Sequence, residues 1–440
     1  MNYAQAREYI DAAAVRGSVL GLDTMRELML RLSNVQDGLR FIHIAGTNGK
    51  GSTAAFITSI LIESGLKVGS YSSPSVFSYL EKIKLGRRNV SQKKFAAAMS
   101  CVAKAAEKMV NKPTVFEMET AAAFLIFSEE KCDVVVLECG LGGAEDATNI
   151  VKTTILSVFT SISLDHVKIL GPGLGDIAGV KAGILKKGIP AVSIAQEEEA
   201  EKVLKSRADL MGSELSFIRP DEETRLIRDE YGDLCYSFDN GEFSIEDIRL
   251  RLSGLTQLEN SALALGAAMK LTALEGFEGI NPRTIKKGLL NARHPGRLEE
   301  VFYEEKCQLK PSRRPRIIID GAHNEDAALR LAESVRKYFN SKKLIFIMGV
   351  LADKDYEKIC RIMVPLADSI ITLTPPENSR ALDSYELAKC VQKYNNNVSQ
   401  ASSVEEALEM ALLFAEKKDI ILAFGSLSYL GRLKKAIAQI

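Results

Sequence analysis

The glycine-rich segment 41–53, which reads FIHIAGTNGKGST, holds the residues of this sequence best suited to bind a charged ligand. It begins with the apolar residues Phe41, Ile42, Ile44 and Ala45, and apolar residues at helical spacing follow at 54–61. Strand, glycine-rich turn and helix in that order are typical of a phosphate-binding loop. Glycines let backbone N–H groups approach an anion, the helix N-terminus adds partial positive charge, and Lys50 adds a cation. We therefore predict a nucleoside triphosphate here, with the Ser52 hydroxyl available to magnesium.

The spacing of this loop differs from that of the ordinary P-loop. Gly51 separates Lys50 from Ser52, and Ile44 stands where the first glycine would be. A glycine-rich turn can also exist without a ligand. The strand, lysine, hydroxyl and helix around this one favour the phosphate-binding interpretation.

Three further segments place polar residues at the ends of apolar strands. Glu138 ends the run 134–138, His166 follows the run 155–160, and Asp320 ends the run 316–320 with His323 close behind. In an open α/β sheet the carboxyl ends of the strands face the ligand crevice, so we predict Glu138 as a magnesium ligand and His166 as functional. Asp320 and His323 could instead cap a helix.

Apolar runs and helical patterns alternate through most of the chain, which predicts an α/β fold with mostly parallel sheets. The predicted strands are 41–45, 68–71, 134–138, 155–160, 191–194, 316–320, 344–348, 369–373, 397–401 and 420–424. The predicted helices are 54–61, 91–110, 116–130, 176–187, 258–271, 282–291, 325–339, 384–394 and 404–417. Residues 215–250 break the alternation with short charged strands and a turn at Asp239-Asn240-Gly241, which indicates a hairpin.

The length of 440 residues exceeds what one core serves, and we place a domain boundary near Pro295. The prediction is an N-terminal P-loop domain over 1–295 with a small β-hairpin insertion and a C-terminal Rossmann-like domain over 296–440.

Polar turns at 349–355 and 425–431 are predicted at the same sheet edge as the polar turn after Asp320, which suggests a binding face. Lys181 lies on the predicted helix 176–187, where the local pattern favours an ordinary solvated lysine.

Composition excludes several classes of function. The 57 basic residues equal the 57 acidic ones, so no electrostatic signature of nucleic-acid binding is present. Seven scattered cysteines without a C-x-x-C pair indicate reduced thiols. The N-terminus lacks the apolar segment of a signal peptide, and no apolar run approaches the ~20 residues needed to span a bilayer. We expect a cytoplasmic protein that binds neither nucleic acid nor membrane.

With these residues in view, the sequence resembles the folylpolyglutamate synthase/dihydrofolate synthase family of Mur-type amide ligases. The resemblance runs from Gly21 to Gly431. Its segments, in chain order, are HIAGTNGKGS, YSSPS, EKI, FEMETAAAF, ECGLGG, DATN, LDH, ILG, KAGI, GLTQLEN, HPGRLE, DGAHN, DKD and GSLSYLG.

The family resemblance implies a reaction, its substrates and a set of site residues. ATP phosphorylates a folate or dihydropteroate carboxylate, the amine of L-glutamate attacks the acyl phosphate, and magnesium assists; we expect a monomer. The implied catalytic residues are Lys50, Lys181, Asp320 and His323, with Lys181 carbamylated. The implied nucleotide contacts are Asn48, Gly49, Lys50, Gly51, Ser52, Thr53, Asn260, Arg297 and Asp320, and the metal ligands are Ser52, Ser73, Glu138 and His166. The implied substrate contacts are Leu22, Asp23, Phe116, Glu117, Asp146 and Ala147 for the pterin, and His323 and Ser426 for glutamate.

The chain departs from the family pattern at a few positions. Ser75 replaces a histidine, Val180 a glutamate and Thr256 a histidine, while Ala144 and Glu145 replace an arginine and a leucine. None of these removes a triphosphate or metal residue. Ala144 and Glu145 flank the expected pterin pocket, so they bear on the choice of substrate more than on catalysis.

Two other functions fit part of the pattern. A muropeptide ligase would carry a substrate domain before the P-loop, for which the roughly forty residues before Phe41 are too few. A nucleotide-binding regulatory protein without catalysis is the second, and the retention of Lys50, Glu138 and Lys181 argues against it.

Overall fold

The computed structural model describes residues 1–17, 19–304, 307 and 309–440. The α-helices are α1 (Tyr3–Ala13), α2 (Asp23–Arg31), α3 (Lys50–Glu63), α4 (Gln92–Glu107), α5 (Val115–Glu129), α6 (Val167–Leu170), α7 (Leu174–Ala182), α8 (Glu198–Met211), α9 (Pro220–Glu223), α10 (Leu255–Leu271), α11 (Pro282–Asn291), α12 (Glu325–Phe339), α13 (Tyr356–Met363), α14 (Ser384–Gln392), α15 (Val404–Phe414) and α16 (Leu427–Gln439). Short 3-10 helices lie at Ala14–Arg16, Val35–Gly38, Tyr79–Lys82, Ala147–Ile150, Pro311–Arg313 and Val364–Leu366.

The strands form three sheets, and the predicted α/β class is confirmed. The strands are β1 (Phe41–Ala45), β2 (Val68–Tyr71), β3 (Ile83–Leu85), β4 (Arg88–Asn89), β5 (Val134–Glu138), β6 (Thr154–Phe159), β7 (Ala191–Ile194), β8 (Leu215–Ile218), β9 (Thr224–Glu230), β10 (Asp233–Asp239), β11 (Ser244–Leu250), β12 (Glu299–Val301), β13 (Arg316–Ile319), β14 (Leu344–Met348), β15 (Ser369–Leu373), β16 (Val398–Ala401) and β17 (Ile420–Phe424).

The first sheet has eight strands in the order β4-β3-β2-β5-β1-β6-β7-β8. Its six strands from β2 to β8 are parallel, and β3 and β4 extend it in antiparallel fashion. The central strand β1 is buried along its whole length between β5 and β6. Because parallel neighbours end at one edge, the segments after these three strands converge there.

The second sheet has six strands in the order β12-β13-β17-β14-β15-β16. All but the short antiparallel β12 run parallel. Strands β13, β17 and β14 are adjacent, so the three polar turns predicted for one edge do lie together. A small antiparallel sheet, β11-β10-β9, contains the predicted hairpin, whose turn residue Asn240 accepts from the N–H of Phe243 through its side chain at 2.9 Å.

Helices cover both faces of each large sheet, as parallel sheets require. One face of the first sheet packs on α3, α10, α11 and the small sheet, and the other on α1, α2, α4 and α5. The second sheet is covered by α12, α13 and α14 on one face and by α15 and α16 on the other. In the part of the chain that the structure describes, no helix is both long and apolar enough to cross a bilayer.

Two sequence expectations need correction. The helix predicted over 176–187 ends at Ala182, because the N–H groups of Gly183, Ile184 and Leu185 bond three residues back and tighten the chain into turns. The polar turn expected over 425–431 is mostly helix: Gly425 turns the chain with a φ of 108°, and Ser426 caps α16 by accepting the N–H of Ser428 at 3.2 Å.

The packing of α11 on α3 generates a prediction about stability. A Cβ added at Gly288 in α11 would lie 2.4 Å from the Cα of Ile60 in α3. Because backbone cannot yield as a side-chain tip can, we expect Gly288→Ala to destabilise the protein by about 1–3 kcal/mol and to lower the thermal unfolding midpoint. Gly179→Ala is the matched control, since Gly179 is an exposed helical glycine whose added Cβ meets only one atom, at 4.0 Å. An equal loss in both variants would contradict the prediction.

Candidate active site

A cleft lies between the converging carboxyl edges of the two large sheets. The first sheet contributes the loop before α3 and the segments after β5 and β6, and the second contributes the segment after β13 and the start of α12. The predicted site residues that line this cleft are Asn48, Gly49, Lys50, Gly51, Ser52, Ser73, Glu138, His166, Lys181, Asn260, Arg297, Asp320 and His323. Thr53 is buried in α3 behind them and donates to Asn260 Oδ1 at 3.4 Å.

The glycine-rich loop has the conformation that the sequence predicted. Gly49 has a φ of 87°, and a Cβ there would lie 2.3 Å from Asn260 Oδ1, so both its backbone and its surroundings require glycine. Lys50 begins α3, and its Nζ donates to the carbonyl oxygens of Gly46 at 3.0 Å and Thr47 at 3.1 Å. The loop therefore holds a cation and the N-terminus of a fourteen-residue helix at one point.

Glu138 lies beneath the loop, buried at the carboxyl end of β5. Burial raises the pKa of its carboxyl to about 7, while the cations of Lys50 and Arg297 and the backbone N–H of Ser73 favour the ionised form. Added positive charge would complete the ionisation of this carboxylate.

The residues present fit Mg²⁺. This ion prefers oxygen ligands and keeps several waters, so one carboxylate, serine hydroxyls and substrate phosphates suffice. Glu138, Ser52 and Ser73 supply such oxygens at the cleft. Among the described residues no group of three or more His, Cys, Asp or Glu side chains forms a metal site of its own.

Lys181 is not the solvated lysine that its local pattern favours. It is 4% exposed on α7, and its Nζ donates to the carbonyl oxygen of Gly46 at 2.7 Å. Burial, followed by the positive charge of Lys50, lowers the pKa of its amine to about 7. A large fraction of Lys181 is thus a neutral amine near pH 7, in reach of the phosphate-binding loop.

The segment after β6 bridges the two sheets. Asp165 accepts from Lys354 Nζ at 2.8 Å and from Asn324 Nδ2 at 3.1 Å, and both partners belong to the second sheet's side of the cleft. The next residue, His166, has a φ of 51°, and burial lowers the pKa of its imidazole. The loop itself joins this contact, since Asn48 Nδ2 donates to Asp326 Oδ2 at 2.6 Å.

The second sheet presents Asp320 and His323 to the cleft. The carboxylate of Asp320 accepts the N–H groups of Leu298 and Ala322, each at 2.8 Å, and burial raises its pKa although Arg297 is near. His323 Nδ1–H donates to the carbonyl of Gly321 at 2.8 Å, and burial lowers the pKa of the ring to about 4. At neutral pH His323 is uncharged and its Nε2 is an acceptor.

Of the residues expected to contact substrate, His323 alone lines this cleft in the described parts of the chain. Glu117 caps α5 by accepting the N–H of Thr114 at 2.7 Å, and Asp146 accepts the N–H of Leu141 at 2.7 Å. Ser426 caps α16, and Ala147 is buried in the 3-10 helix that follows Asp146. Leu22 precedes α2, whose first residue Asp23 is exposed, and Phe116 packs near Tyr71 with ring centroids 5.9 Å apart.

Sequence reasoning gave no role to several residues that the site contains. His294 Nδ1 lies 2.9 Å from Ser52 Oγ, directly behind the phosphate-binding loop. Lys354 and Asn324 hold Asp165 from the opposite side of the cleft. His294 is one of only four histidines and precedes a proline and a glycine, which is the only signal that could have drawn attention to it.

The Asp165–Lys354 ion pair generates a second prediction. The two side chains are 13% and 9% exposed, so Lys354→Met would leave a nearly buried carboxylate without its cation. We expect a loss of about 3–5 kcal/mol in stability, seen as a lower unfolding midpoint. Adding Asp165→Asn should recover part of the loss. The exposed Lys202–Glu198 pair is the control, because its Lys202→Met variant should change stability by no more than about 1 kcal/mol. Additive losses in the double variant would refute the coupling.

Comparisons with known proteins place the chain in a family. Residues 44–268 match the Mur ligase middle domain, and residues 306–427 match the Mur ligase glutamate ligase domain. Dihydrofolate synthase/folylpolyglutamate synthase of Bacillus subtilis is 33% identical, with 99% of each chain covered. Folylpolyglutamate synthase of Lacticaseibacillus casei is 32% identical, with 87% of each covered.

Solved structures agree over nearly the whole length. Mycobacterium tuberculosis folylpolyglutamate synthase, complexed with ADP and AMPPCP, has a TM-score of 0.88 at 26% identity and covers 99% of this chain and 98% of its own. E. coli FolC in complex with DHPP and ADP has a TM-score of 0.85 at 28% identity, with the same coverage. The chain belongs to the folylpolyglutamate synthase/dihydrofolate synthase family of Mur ligases.

Proposed function

We propose that this protein is an ATP-dependent ligase that joins L-glutamate to the carboxylate of a folate or of dihydropteroate, with release of ADP and phosphate. The main support for this proposal is the cleft. Lys50, Glu138 and Lys181 line it on the side of the first sheet, and Asp320 and His323 line it on the side of the second. Family membership supports the folate class of substrate, since the relatives bear the names of folate ligases and one is complexed with DHPP.

The first chemical step activates the carboxylate. An oxygen of the substrate carboxylate attacks the terminal phosphorus of ATP, the bond to the bridging oxygen breaks, and ADP leaves. Both reactants are anionic, so the step needs positive charge at the point of contact. Lys50, the loop N–H groups and the N-terminus of α3 supply it. Bound Mg²⁺, held by Glu138 with Ser52 and Ser73, would neutralise further phosphate charge.

The second step forms the amide. The neutral amine of glutamate attacks the acyl carbon, the nitrogen loses a proton, and inorganic phosphate leaves. We place the glutamate amine beside His323, whose uncharged ring offers Nε2 as a hydrogen-bond acceptor. Ser426, at the start of α16 on the same sheet edge, is placed beside the glutamate carboxylates, where the helix N-terminus favours negative charge.

Nucleotide contacts are proposed from both sides of the cleft. Asn260 touches the loop at Gly49 and suits the adenine side, and Arg297 lies against Gly321, next to Asp320. We infer that residues 1–295 and 296–440 act as two lobes that enclose the reactants and exclude water, which would otherwise hydrolyse the acyl phosphate.

One chain supplies both walls of the cleft, which supports a monomer as the active form. The seven free cysteines support the cytoplasm as its compartment.

We propose that Lys181 is carbamylated. Only a neutral amine attacks carbon dioxide, and the lowered pKa of about 7 supplies one. The product is an anionic carbamate on a side chain whose Nζ lies 2.7 Å from the Gly46 carbonyl that Lys50 also contacts. An anion at this point would remove the repulsion between the two ammonium groups. It would also place a negative charge in the cleft that holds the proposed magnesium ion.

The proposed reaction predicts ADP release that depends on both organic substrates. Purified protein with MgATP, L-glutamate and either dihydropteroate or tetrahydrofolate should release ADP, and Lys50→Ala should reduce the rate by about 10²–10³-fold, because it removes charge that stabilises the transition state. Lys202→Ala, at an exposed position on α8, is the control and should retain the rate. Turnover by Lys50→Ala at the normal rate would refute the role of the loop. Activity with neither acceptor would refute the folate assignment.

The carbamate predicts a distinct spectroscopic result. In ¹³C-bicarbonate the protein should show one carbamate resonance that is absent in Lys181→Ala. The variant should lose ligase activity, and short carboxylates such as acetate should restore part of it by occupying the vacated space. A spectrum of the active protein without that resonance would contradict the carbamate while leaving the ligase proposal intact.

A further inference from the structure

A second cavity lies next to the phosphate-binding loop, between α3, the end of β2 and the segment that follows α11. It has a volume of about 160 Å³ and shares Gly51 with the cleft. Its wall includes hydroxyl-bearing and basic side chains, namely Thr58, Ser59, Lys84, Arg87, Arg293 and His294. His294 contacts Ser52 of the phosphate-binding loop, and the other five have no part in the proposed ligase reaction.

Two hydroxyl groups on the cavity wall have no partner in the described structure. Thr58 and Ser59 are 8% and 5% exposed, and neither Oγ atom makes a hydrogen bond to any described residue. Buried hydroxyls normally find a partner, because an unpaired one costs roughly 1–3 kcal/mol. Both line the cavity, so a bound group with acceptor oxygens would satisfy them.

The cavity also carries positive charge that nearby acids do not neutralise. Lys84 forms no ion pair and donates no hydrogen bond within the described residues. The carboxylate of Glu63 is already occupied by Arg87 at 2.5 Å, Lys287 at 2.6 Å and Asn291 at 3.0 Å.

Glu81 is the other acid close to Lys84, and its oxygens are also engaged. They accept the backbone N–H groups of Val76, Phe77 and Ser78. Both local carboxylates therefore accept from other donors, and the ammonium of Lys84 forms no ion pair with either of them in the described structure, although the charge of Glu81 still acts on it.

Two of these cations have a lowered pKa. Burial lowers the pKa of Lys84 although the carboxylate of Glu81 opposes the shift, and burial together with the positive charges of Arg251 and Arg87 lowers the pKa of Arg293. An anion among them would relieve both the repulsion and the loss of hydration.

We propose that this cavity binds an oxyanion of two or more negative charges, either inorganic phosphate or the clustered carboxylates of a short γ-glutamyl chain. The volume admits a group of that size but not a nucleotide, since drug-sized ligands occupy about 300–1,000 Å³. Lys84 and Arg293 supply the charge, and Thr58 and Ser59 supply uncharged donors. The cavity adjoins the triphosphate cleft at Gly51, but its cations and hydroxyls are not those proposed to hold the triphosphate.

Calorimetric titration of the full-length protein tests the proposal. Inorganic phosphate and γ-glutamylglutamate are titrated in separate arms into the wild type, Lys84→Met and Lys202→Met. We expect binding of at least one probe that weakens tenfold or more in Lys84→Met and stays within twofold in Lys202→Met, whose lysine is exposed on α8. Binding of phosphate alone identifies free phosphate as the ligand, and binding of the dipeptide alone identifies a glutamyl chain. Absence of binding in both arms, or binding that is unchanged in Lys84→Met, would overturn the proposal.

The histidines provide a second readout that locates the anion. His294 lies on the cavity wall, whereas His43 is fully buried beside Thr148. In ¹⁵N-histidine-labelled protein the probe should shift the His294 imidazole signals, assigned with His294→Gln, and leave those of His43 unchanged. Lys84→Arg should keep the shift, and Lys84→Met should lose it while the His43 signals report an intact fold. A shift that persists in Lys84→Met, or that is confined to His166 and His323 in the cleft, would place the anion elsewhere and refute the site.

Discussion

Two lysine side chains donate to one carbonyl oxygen, and much of the site follows from this contact. Lys50 and Lys181 come from different helices, and their Nζ atoms lie 3.0 and 2.7 Å from the oxygen of Gly46. Two ammonium groups this close in a buried cleft repel each other, so the arrangement is stable only if one loses its proton or an anion enters. The lowered pKa of Lys181 corresponds to the first of these, and the proposed carbamate or a bound phosphate would supply the second.

The contact exists because of the order of strands in the first sheet. With β1 between β5 and β6, the loop before α3, the carboxylate of Glu138 and the segment around Asp165 end at one edge. Asp165 then reaches Lys354 and Asn324 on the second sheet's side, and Asn48 reaches Asp326. The groups that hold the two sides of the cleft together are neighbours of those proposed to do the chemistry.

Much of this arrangement could be predicted from local sequence patterns. Continuous apolar runs such as 134–138 and 344–348 gave the strands at their observed bounds, because strands buried on both faces read as apolar blocks. The glycines and Lys50, placed between a strand and a helical pattern, predicted the phosphate-binding loop. Patterns could not give the partners of Lys181 and Lys354, because a lysine is solvated by default and nothing in the neighbouring sequence names a partner. Their burial arises from contacts with residues more than a hundred positions away.

The departures from the family pattern can be understood from the same contacts. The N–H of Ala144 donates to the carbonyl of Val180 at 2.9 Å, so the loop after β5 is bonded through backbone atoms to the helix that carries Lys181. A Cβ at Gly183 would lie 2.3 Å from that of Ala144, so the two segments touch with little room for a longer side chain. Asn149 reinforces the junction by donating to the carbonyls of Ala144 and Gly183 at 3.0 and 3.1 Å. The hydrogen bonds that join this loop to the helix of Lys181 therefore use backbone atoms and Asn149, and the side chains of Ala144 and Val180 take no part in them.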